Sequence, residues 1–237
     1  MELLRGKTAL VSGASRGIGR AVAAALVREG VWVGMVARSE AELRRAADEV
    51  GGHAIAADVS AAPDVHRLTD YLAELLGDAP DLVVSAAGAF SLAPLAATDP
   101  TEFERIVAVN LRGPFLLVRA FLPLMLQRGS GHLVSIGSVA GRVAFPENGA
   151  YAASKFGLRG LHAVLEQELR GTRVRGTLIE PAATDTALWD AIDPGARAGL
   201  PDRAAMLRPE DVARAVVFAV SQPEHVEVSS LAVRAHG

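Results

Sequence analysis

Short apolar runs alternate with longer stretches of helical periodicity along this chain of 237 residues. The apolar runs predict seven strands: Thr8–Val11, Trp32–Ala37, His53–Ala56, Leu82–Val84, His132–Ile136, Val174–Ile179 and Ser230–Val233. The periodic stretches predict helices at Gly17–Glu29, Glu40–Val50, Ala61–Leu76, Thr101–Gln127, Ala150–Arg170 and Pro209–Ser221. Because strands that are apolar throughout are buried on both faces, the pattern predicts an α/β fold, a doubly wound parallel sheet with helices on both faces.

Two segments depart from this regular alternation. Pro114 and Pro123 lie inside the helix predicted for Thr101–Gln127, so we expect that helix to be split or kinked. The segment Ala182–Arg208 has no firm periodicity, and long loops of this kind often cover active sites. With no internal repeat or low-complexity tail, the sequence predicts a single domain over residues 1–237, with 182–208 as a substrate loop within it.

Composition narrows the classes of function. The chain is 50% hydrophobic and carries a net charge of −3, so neither nucleic acid nor a membrane is expected as a partner. No uninterrupted apolar stretch approaches the length that crosses a bilayer. The absence of cysteine excludes thiolate chemistry, and the six histidines form no His-x-x-x-His pair, so no metal site is expected. The start of the chain lacks a signal-peptide layout, and we expect a cytoplasmic protein.

A glycine-rich turn, Gly13-Ala-Ser-Arg-Gly17-Ile-Gly19, joins the first predicted strand to the first helix. Glycine permits positive φ and close approach of backbone N–H groups to phosphate oxygens, and a helix N-terminus favours an anion. The spacing is not the strict Gly-x-Gly-x-x-Gly fingerprint, so a purely structural turn is the alternative. The position between strand and helix favours a dinucleotide site.

The residues after the second strand bear on which dinucleotide binds. Sites for NAD usually have a carboxylate there for the ribose 2′-hydroxyl, whereas this chain has Ala37-Arg38-Ser39. Arg38 and Arg16 can together clamp a 2′-phosphate, although each taken alone could be a solvated surface arginine. The pair favours NADP (NADPH) over NAD.

Tyr151 and Lys155 are four residues apart in a predicted helix, so they lie on the same face one turn apart. An ammonium beside a phenol favours the phenolate and should lower the tyrosine pKa, which suits proton transfer near neutral pH. Ser138 precedes Tyr151 by 13 residues. Together with a dinucleotide site, these residues predict hydride transfer coupled to proton transfer.

With these residues in place, the chain resembles the short-chain dehydrogenase/reductase family, in its compact single-domain branch. The matching elements occur in the family's order over essentially the whole chain: Gly13-x-x-x-Gly17-x-Gly19, Asp58-Val59, Ala87-Gly88, Asn110, Ser138, Tyr151-Ala-Ala-Ser-Lys155, and Pro181 with Thr184. The resemblance implies a Rossmann-type sheet of about seven strands and an NADP-dependent oxidoreductase acting on a carbonyl compound or secondary alcohol. Alternatives are an NAD(P)-dependent alcohol or polyol dehydrogenase working oxidatively, and a non-catalytic NADP-binding sensor.

The resemblance also implies roles for the catalytic candidates. Tyr151 would be the general acid or base, and Lys155 would bind the nicotinamide ribose and lower the Tyr151 pKa. Ser138 would hydrogen-bond the substrate oxygen, although Ser135 is a nearby competitor. Asn110 would steady a water that connects Lys155 to solvent, unless it is a buried polar residue that bends its helix.

The cofactor contacts follow in the same way. Thr184 would contact the nicotinamide carboxamide, and Asp58 with Val59 the adenine, although Asp58 could instead be turn chemistry before Ser60. The candidate cofactor-binding residues are Gly13, Ser15, Arg16, Gly17, Ile18, Gly19, Arg38, Asp58, Val59, Ala87, Gly88, Tyr151, Lys155, Pro181 and Thr184. The chain departs from the family pattern at Ser85-Ala86, where asparagines are common, and at Ala182, where glycine usually follows the proline.

Substrate and assembly are less constrained. The candidate pocket residues Phe90, Phe145, Leu188 and Trp189 suggest a modest hydrophobic ketone, aldehyde or secondary alcohol, although they could instead pack the loop against the body. The helix that carries Tyr151 presents small and apolar residues, and the family commonly uses it for subunit contacts. A homodimer or homotetramer is therefore expected.

Overall fold

The computed structural model describes residues 2–196 and 199–236. Its seven strands form one fully parallel sheet in the order β3-β2-β1-β4-β5-β6-β7. The strands are β1 (Thr8–Ser12), β2 (Trp32–Ala37), β3 (His53–Ala56), β4 (Leu82–Ser85), β5 (Gly131–Ile136), β6 (Val174–Pro181) and β7 (Ser230–Val233). The predicted doubly wound Rossmann-type fold is confirmed, and all seven predicted strands are present.

Seven α-helices connect or flank the strands in the described part of the chain. They are α1 (Gly17–Arg28), α2 (Glu40–Val50), α3 (Ala62–Leu76), α4 (Pro100–Val107), α5 (Gly113–Arg128), α6 (Gly149–Leu169) and α7 (Pro209–Val220). Helices α1, α2 and α7 cover one face of the sheet, and α3, α5 and α6 cover the other. Along β1, Ala9 and Val11 pack on the first face and Leu10 on the second, because side chains alternate along a strand.

Of the two outcomes predicted for the helix around Pro114, split or kinked, the structure excludes the split. A π-helical turn, Ala108–Arg112, joins α4 directly to α5, so the helix is continuous instead of split. Proline lacks the N–H that an α-helix uses, and the wider turn just before Pro114 lets the chain continue helically. The resulting Pro100–Arg128 stretch of 29 residues is, by length and composition alone, apolar enough to cross a membrane. The sequence predicted the helical length, as Thr101–Gln127, but no apolar stretch long enough to cross a bilayer; 44% of the most apolar window is buried inside the protein.

The strand order places a candidate site. Between β1 and β4 the order of strands reverses, and in open parallel sheets ligands bind in the crevice beyond the carboxyl ends at such a point. The predicted substrate loop 182–208 borders this crevice; Arg197 and Ala198 lie outside the described residues. Within the loop, Arg203 pairs with Asp185 and Asp190.

Candidate cofactor and catalytic site

A cavity of about 520 Å³ opens beyond the carboxyl ends of β1, β2, β3 and β4. It contains most of the predicted cofactor contacts on one continuous wall. The lining residues are Gly13, Ser15, Arg16, Gly17, Ile18, Gly19, Val36, Ala37, Arg38, Ser39, Glu42, Ala57, Asp58, Val59, Ala86, Ala87, Gly88, Val109, Thr186, Ala187 and Leu188. The topology thus brings together segments that are far apart in the sequence.

The glycine turn is shaped by close backbone packing. Gly13 has φ +67°, and a Cβ built there would lie 2.6 Å from the Ala87 Cα. A Cβ on Gly19 would collide with the backbone oxygen of Gly13, and Gly17 has φ +55°. A side chain at Gly13 would therefore collide with the chain after β4, and one at Gly19 with the backbone of the turn itself.

Ser12, which the sequence reasoning missed, holds the two central strands together at this point. Its Oγ accepts hydrogen bonds from the backbone N–H groups of Ala86 (3.1 Å) and Ala87 (3.2 Å) and donates to the Val84 carbonyl (3.4 Å). A buried serine at the end of an otherwise apolar strand was the available signal. The Ser12 hydroxyl thus holds the chain after β4 next to the glycine turn.

Arg16 and Arg38 lie on the same cavity wall, Arg16 just before α1 and Arg38 just after β2. Both are exposed, and within the described residues neither has a carboxylate partner, whereas Arg20 and Arg44 nearby are each paired with a glutamate. The acidic residues among the lining residues are Glu42 and Asp58. Two guanidinium groups without carboxylate partners on the lining of one cavity suit a doubly charged phosphate.

Asp58 lies where it could serve either of the roles considered from the sequence, an adenine contact or a turn before Ser60. It lines the cavity with Val59, and its Oδ1 also accepts hydrogen bonds from the Ser60 N–H (2.9 Å) and Oγ (2.7 Å). The turn chemistry is therefore present, and it leaves the residue at the cavity wall.

The loop after β6 brings Thr186, and not Pro181 or Thr184, to the cavity lining. Pro181 and Thr184 do not line the cavity, and the Thr184 Oγ1 donates instead to the Ala182 carbonyl (3.0 Å). Thr186, two residues later, lines the cavity, and its methyl group would lie 3.3 Å from a Cβ on Gly17. Thr186 thus faces the glycine turn across the cavity, a position that spacing alone did not indicate.

The structure brings Ser138, Tyr151 and Lys155 together. Ser138 lies two residues after the end of β5 and hydrogen-bonds the Tyr151 side chain, whereas its competitor Ser135 lies within β5. Lys155 is buried on α6 with its Nζ 5.6 Å from the Tyr151 ring centre, and it donates to the Ile136 carbonyl at 2.8 Å. Phenol, hydroxyl and ammonium therefore share one small volume.

The expected lowering of the Tyr151 pKa is not present in this structure. Burial raises the pKa of the Tyr151 phenol above its ordinary value, and the hydrogen bond with Ser138 opposes that rise. Burial also lowers the pKa of Lys155 to about 8. The lysine points to a backbone carbonyl, and desolvation of both groups dominates, so the predicted effect of Lys155 on the tyrosine was wrong for the protein alone.

Asn110 is fully buried in the π turn between α4 and α5. Its Oδ1 accepts from the Ala89 N–H (2.8 Å), and its Nδ2 donates to the Ala89 carbonyl (2.8 Å) and the Ser154 Oγ (3.0 Å). Ser154 precedes Lys155. The amide therefore ties the chain after β4 to the catalytic helix, and π turns are frequent at functional sites.

Aromatic rings cover the tyrosine. Phe90 packs edge-on against both Tyr151 (ring centres 4.9 Å apart) and Trp189 (5.0 Å). Leu188 lines the cavity, whereas Phe145 is half exposed and makes no ring contact with this cluster among the described residues. The predicted substrate residues thus divide: Phe90 and Trp189 join Tyr151, and Leu188 joins the cofactor side.

The comparisons with known proteins agree with this arrangement. The short chain dehydrogenase family model matches residues 7–197. A glycine betaine reductase from Emericella nidulans is 38% identical over 97% of this chain, which spans only 19% of that protein's length. An alcohol dehydrogenase from Thermococcus sibiricus, solved with 5-hydroxy-NADP, is 31% identical with a TM-score of 0.86, covering 97% of this chain and 96% of that one.

A 3-ketoacyl-(acyl-carrier-protein) reductase from Brucella melitensis, solved with NADH, is 28% identical with a TM-score of 0.86, and 98% of each chain is covered. Similarity to these oxidoreductases extends over nearly the whole sheet and its helices. The cavity at the strand reversal, the Ser138–Tyr151–Lys155 group and the family match lead to one conclusion. The chain belongs to the short-chain dehydrogenase/reductase family and is an oxidoreductase of that family.

Proposed function

We propose that the protein is an NADP(H)-dependent oxidoreductase that interconverts a carbonyl compound and a secondary alcohol, with Tyr151 as the general acid and base. The observation that carries the proposal is the contact of Ser138 with Tyr151 beside the buried Lys155. A protein that only binds a nucleotide has no need of this proton-transferring group. This argues against the sensor alternative.

The cavity fits a dinucleotide. The glycine turn lines the cavity and leads into the start of α1, where backbone N–H groups would meet a pyrophosphate. Arg16 and Arg38 would hold a ribose phosphate, and Asp58 with Val59 would border the adenine. A bound nicotinamide nucleotide supplies or accepts the hydride.

The residues of the chain perform the proton chemistry. In reduction, Ser138 and Tyr151 hold the carbonyl oxygen, and Tyr151 donates its proton as negative charge develops there. Burial keeps the phenol protonated until then, which suits a general acid. Lys155 then favours reprotonation as the nearby ammonium donor, and Asn110 in its π turn provides the place for a water that connects Lys155 to solvent. In oxidation the proton moves in the opposite direction.

Removing the phenolic hydroxyl tests the proton-transfer role. Tyr151→Phe should bind NADPH as the unaltered protein does, measured by nicotinamide fluorescence, but lose at least about a thousandfold in kcat because general acid catalysis and hydrogen bonding to the oxygen are both lost. Activity is measured as NADPH oxidation with a broad panel of ketones and aldehydes. Tyr71→Phe, at the only other tyrosine, is the matched control and should be fully active. Substantial turnover by Tyr151→Phe would refute the role.

The preference for NADP rests on the two free arginines. One similar structure was solved with 5-hydroxy-NADP and another with NADH, so the preference must be measured on this chain. Arg38→Asp should reduce the NADPH/NADH ratio of kcat/KM by about ten- to a hundredfold, since a charged hydrogen bond is worth about 1.5–3 kcal/mol. Arg44→Asp, on α2 and outside the cavity wall, is the charge-matched control. An unchanged ratio would eliminate the assignment.

Substrate class and assembly complete the proposal. The rings of Phe90 and Trp189 beside Tyr151 favour a modest apolar ketone, aldehyde or secondary alcohol. Helices α5 and α6 expose Phe115, Leu126, Phe156 and Val164, apolar side chains that suit contact with a second copy. We therefore propose a homodimer or homotetramer, which light scattering at micromolar concentration tests; a monomer would contradict it.

A further inference from the structure

A buried carboxylate joins the segments that flank the catalytic group. Glu180, the residue before Pro181 at the end of β6, has a side chain only 1% exposed. Both of its oxygens lie 2.9 Å from the Nε of Arg142, and Oε1 also accepts from the Nη1 of Arg159 at 2.9 Å. A buried charge is costly unless it is paired, so two guanidinium partners for one carboxylate indicate a built contact.

The two arginines belong to the segments that carry the catalytic side chains. Arg142 ends the short helical turn 139–141, which Ser138 begins. Arg159 follows Lys155 by one turn of α6, the helix that also carries Tyr151. Glu180 therefore connects β6 to both the serine segment and the tyrosine helix.

Close packing restricts the position of segment 137–142, which contains Ser138. A Cβ on Gly141 would lie 2.8 Å from the Lys155 carbonyl oxygen, and one on Gly137 would lie 3.3 Å from the Glu180 Cγ. The Gly137 N–H also donates to the Ile179 carbonyl at 2.7 Å. The segment 137–142 is thus held between β6 and α6, and its far end is tied by the Arg142–Glu180 contact.

We propose that Glu180 is a positioning residue, a charged clamp that sets the placement of Ser138 against Tyr151 through Arg142 and Arg159. The catalytic consequence rests on the proposed function; the geometric claim does not. Burial raises the pKa of Glu180, but the two arginines prevail and hold it below its ordinary value, so the carboxylate is ionised at neutral pH. Neutralising it leaves two half-exposed guanidinium groups, which repel each other and can turn toward solvent.

The first experiment needs no substrate. The chain has two tyrosines, so labelling with ¹³Cζ-tyrosine gives two signals, which Tyr71→Phe assigns. Because the Ser138 hydrogen bond lowers the Tyr151 pKa, Glu180→Gln and Arg142→Met should each move the Tyr151 titration, followed in the NADP complex, to higher pH by about half a unit or more. Arg142→Lys, which keeps a charged contact, should recover much of that shift.

Asp211→Asn is the matched control. Asp211 is also contacted by two arginines, Arg208 and Arg214, but at the start of α7, and its loss should leave the Tyr151 titration unchanged. If Glu180→Gln does not fold, Arg142→Met, at a side chain 39% exposed, carries the same prediction. A Tyr151 titration that is the same in the unaltered protein, Glu180→Gln and Arg142→Met would overturn the clamp.

The second experiment separates positioning from general destabilisation. With a carbonyl substrate from the panel, Glu180→Gln should lower kcat about ten- to a hundredfold, the effect of displacing a reacting group by about 1 Å, with the Kd for NADPH unchanged. A kcat no lower than that of Asp211→Asn would overturn the proposal. If the unaltered protein turns over no carbonyl compound or alcohol, the proposed function fails, and the tyrosine titration still decides the clamp.

Discussion

Replacing Gly13 by alanine should destabilise the protein far more than the same replacement at Gly129. Both glycines have left-handed backbone, with φ +67° and φ +74°, so each alanine costs about 1–2 kcal/mol in backbone strain. At Gly129 nothing lies within 4 Å of the added Cβ, whereas at Gly13 it would lie 2.6 Å from the Ala87 Cα and 2.8 Å from the Ala87 N. Since Ser12 holds that backbone in place, overpacking adds about 1–3 kcal/mol.

The expected losses in the free energy of unfolding are therefore about 2–5 kcal/mol for Gly13→Ala and about 1–2 kcal/mol for Gly129→Ala. Urea unfolding followed by circular dichroism measures both, and the reduced freedom of the unfolded chain is common to both variants and cancels in the difference. Repeating the titration with excess NADPH adds a second test. The ligand should stabilise Gly129→Ala as it does the unaltered protein, and Gly13→Ala much less.

Equal losses for the two variants would refute the reasoning, because they would show that the backbone beside Gly13 yields at no cost. A large loss for Gly13→Ala with full stabilisation by NADPH would refute only the second half. In that case the glycine would serve the packing of β1 against β4 and not the nucleotide site.

Two further predictions concern buried polar groups. Burial lowers the pKa of His132 from 6.5 to about 3. Below pH 6.5 the unfolded chain therefore binds a proton that the folded protein excludes, and the free energy of unfolding falls by about 2 kcal/mol between about pH 7.5 and 5. His132→Gln should reduce this pH dependence, measured by urea titrations. Asn110→Ala strands the Ala89 N–H and carbonyl in the interior and removes a partner of the Ser154 hydroxyl, at a cost of about 2–5 kcal/mol by the same assay. A change below about 1 kcal/mol would contradict the role of the Asn110 amide in tying the chain after β4 to α6.

Much of the fold could be read from local patterns. Buried parallel strands are apolar throughout, so runs such as Trp32–Ala37 were recognisable with their boundaries. Pro114 marked a disturbance of its helix, but whether the chain would break or widen into a π turn depended on what packs around Asn110. Ser138 was preferred over Ser135 because its 13-residue separation from Tyr151 matches the family pattern, and such a separation can be read along the chain itself.

The sequence by itself determined the order of strands and helices, the glycine turn, the catalytic helix and the family, because these depend on periodicity and short spacings. Only the tertiary structure decided which distant groups meet: Ser12 on the backbone after β4, Thr186 across from Gly17, and Glu180 between Arg142 and Arg159. The tertiary structure also decided the direction in which the Tyr151 pKa shifts, since burial depends on every neighbour in space and not on the lysine four residues away.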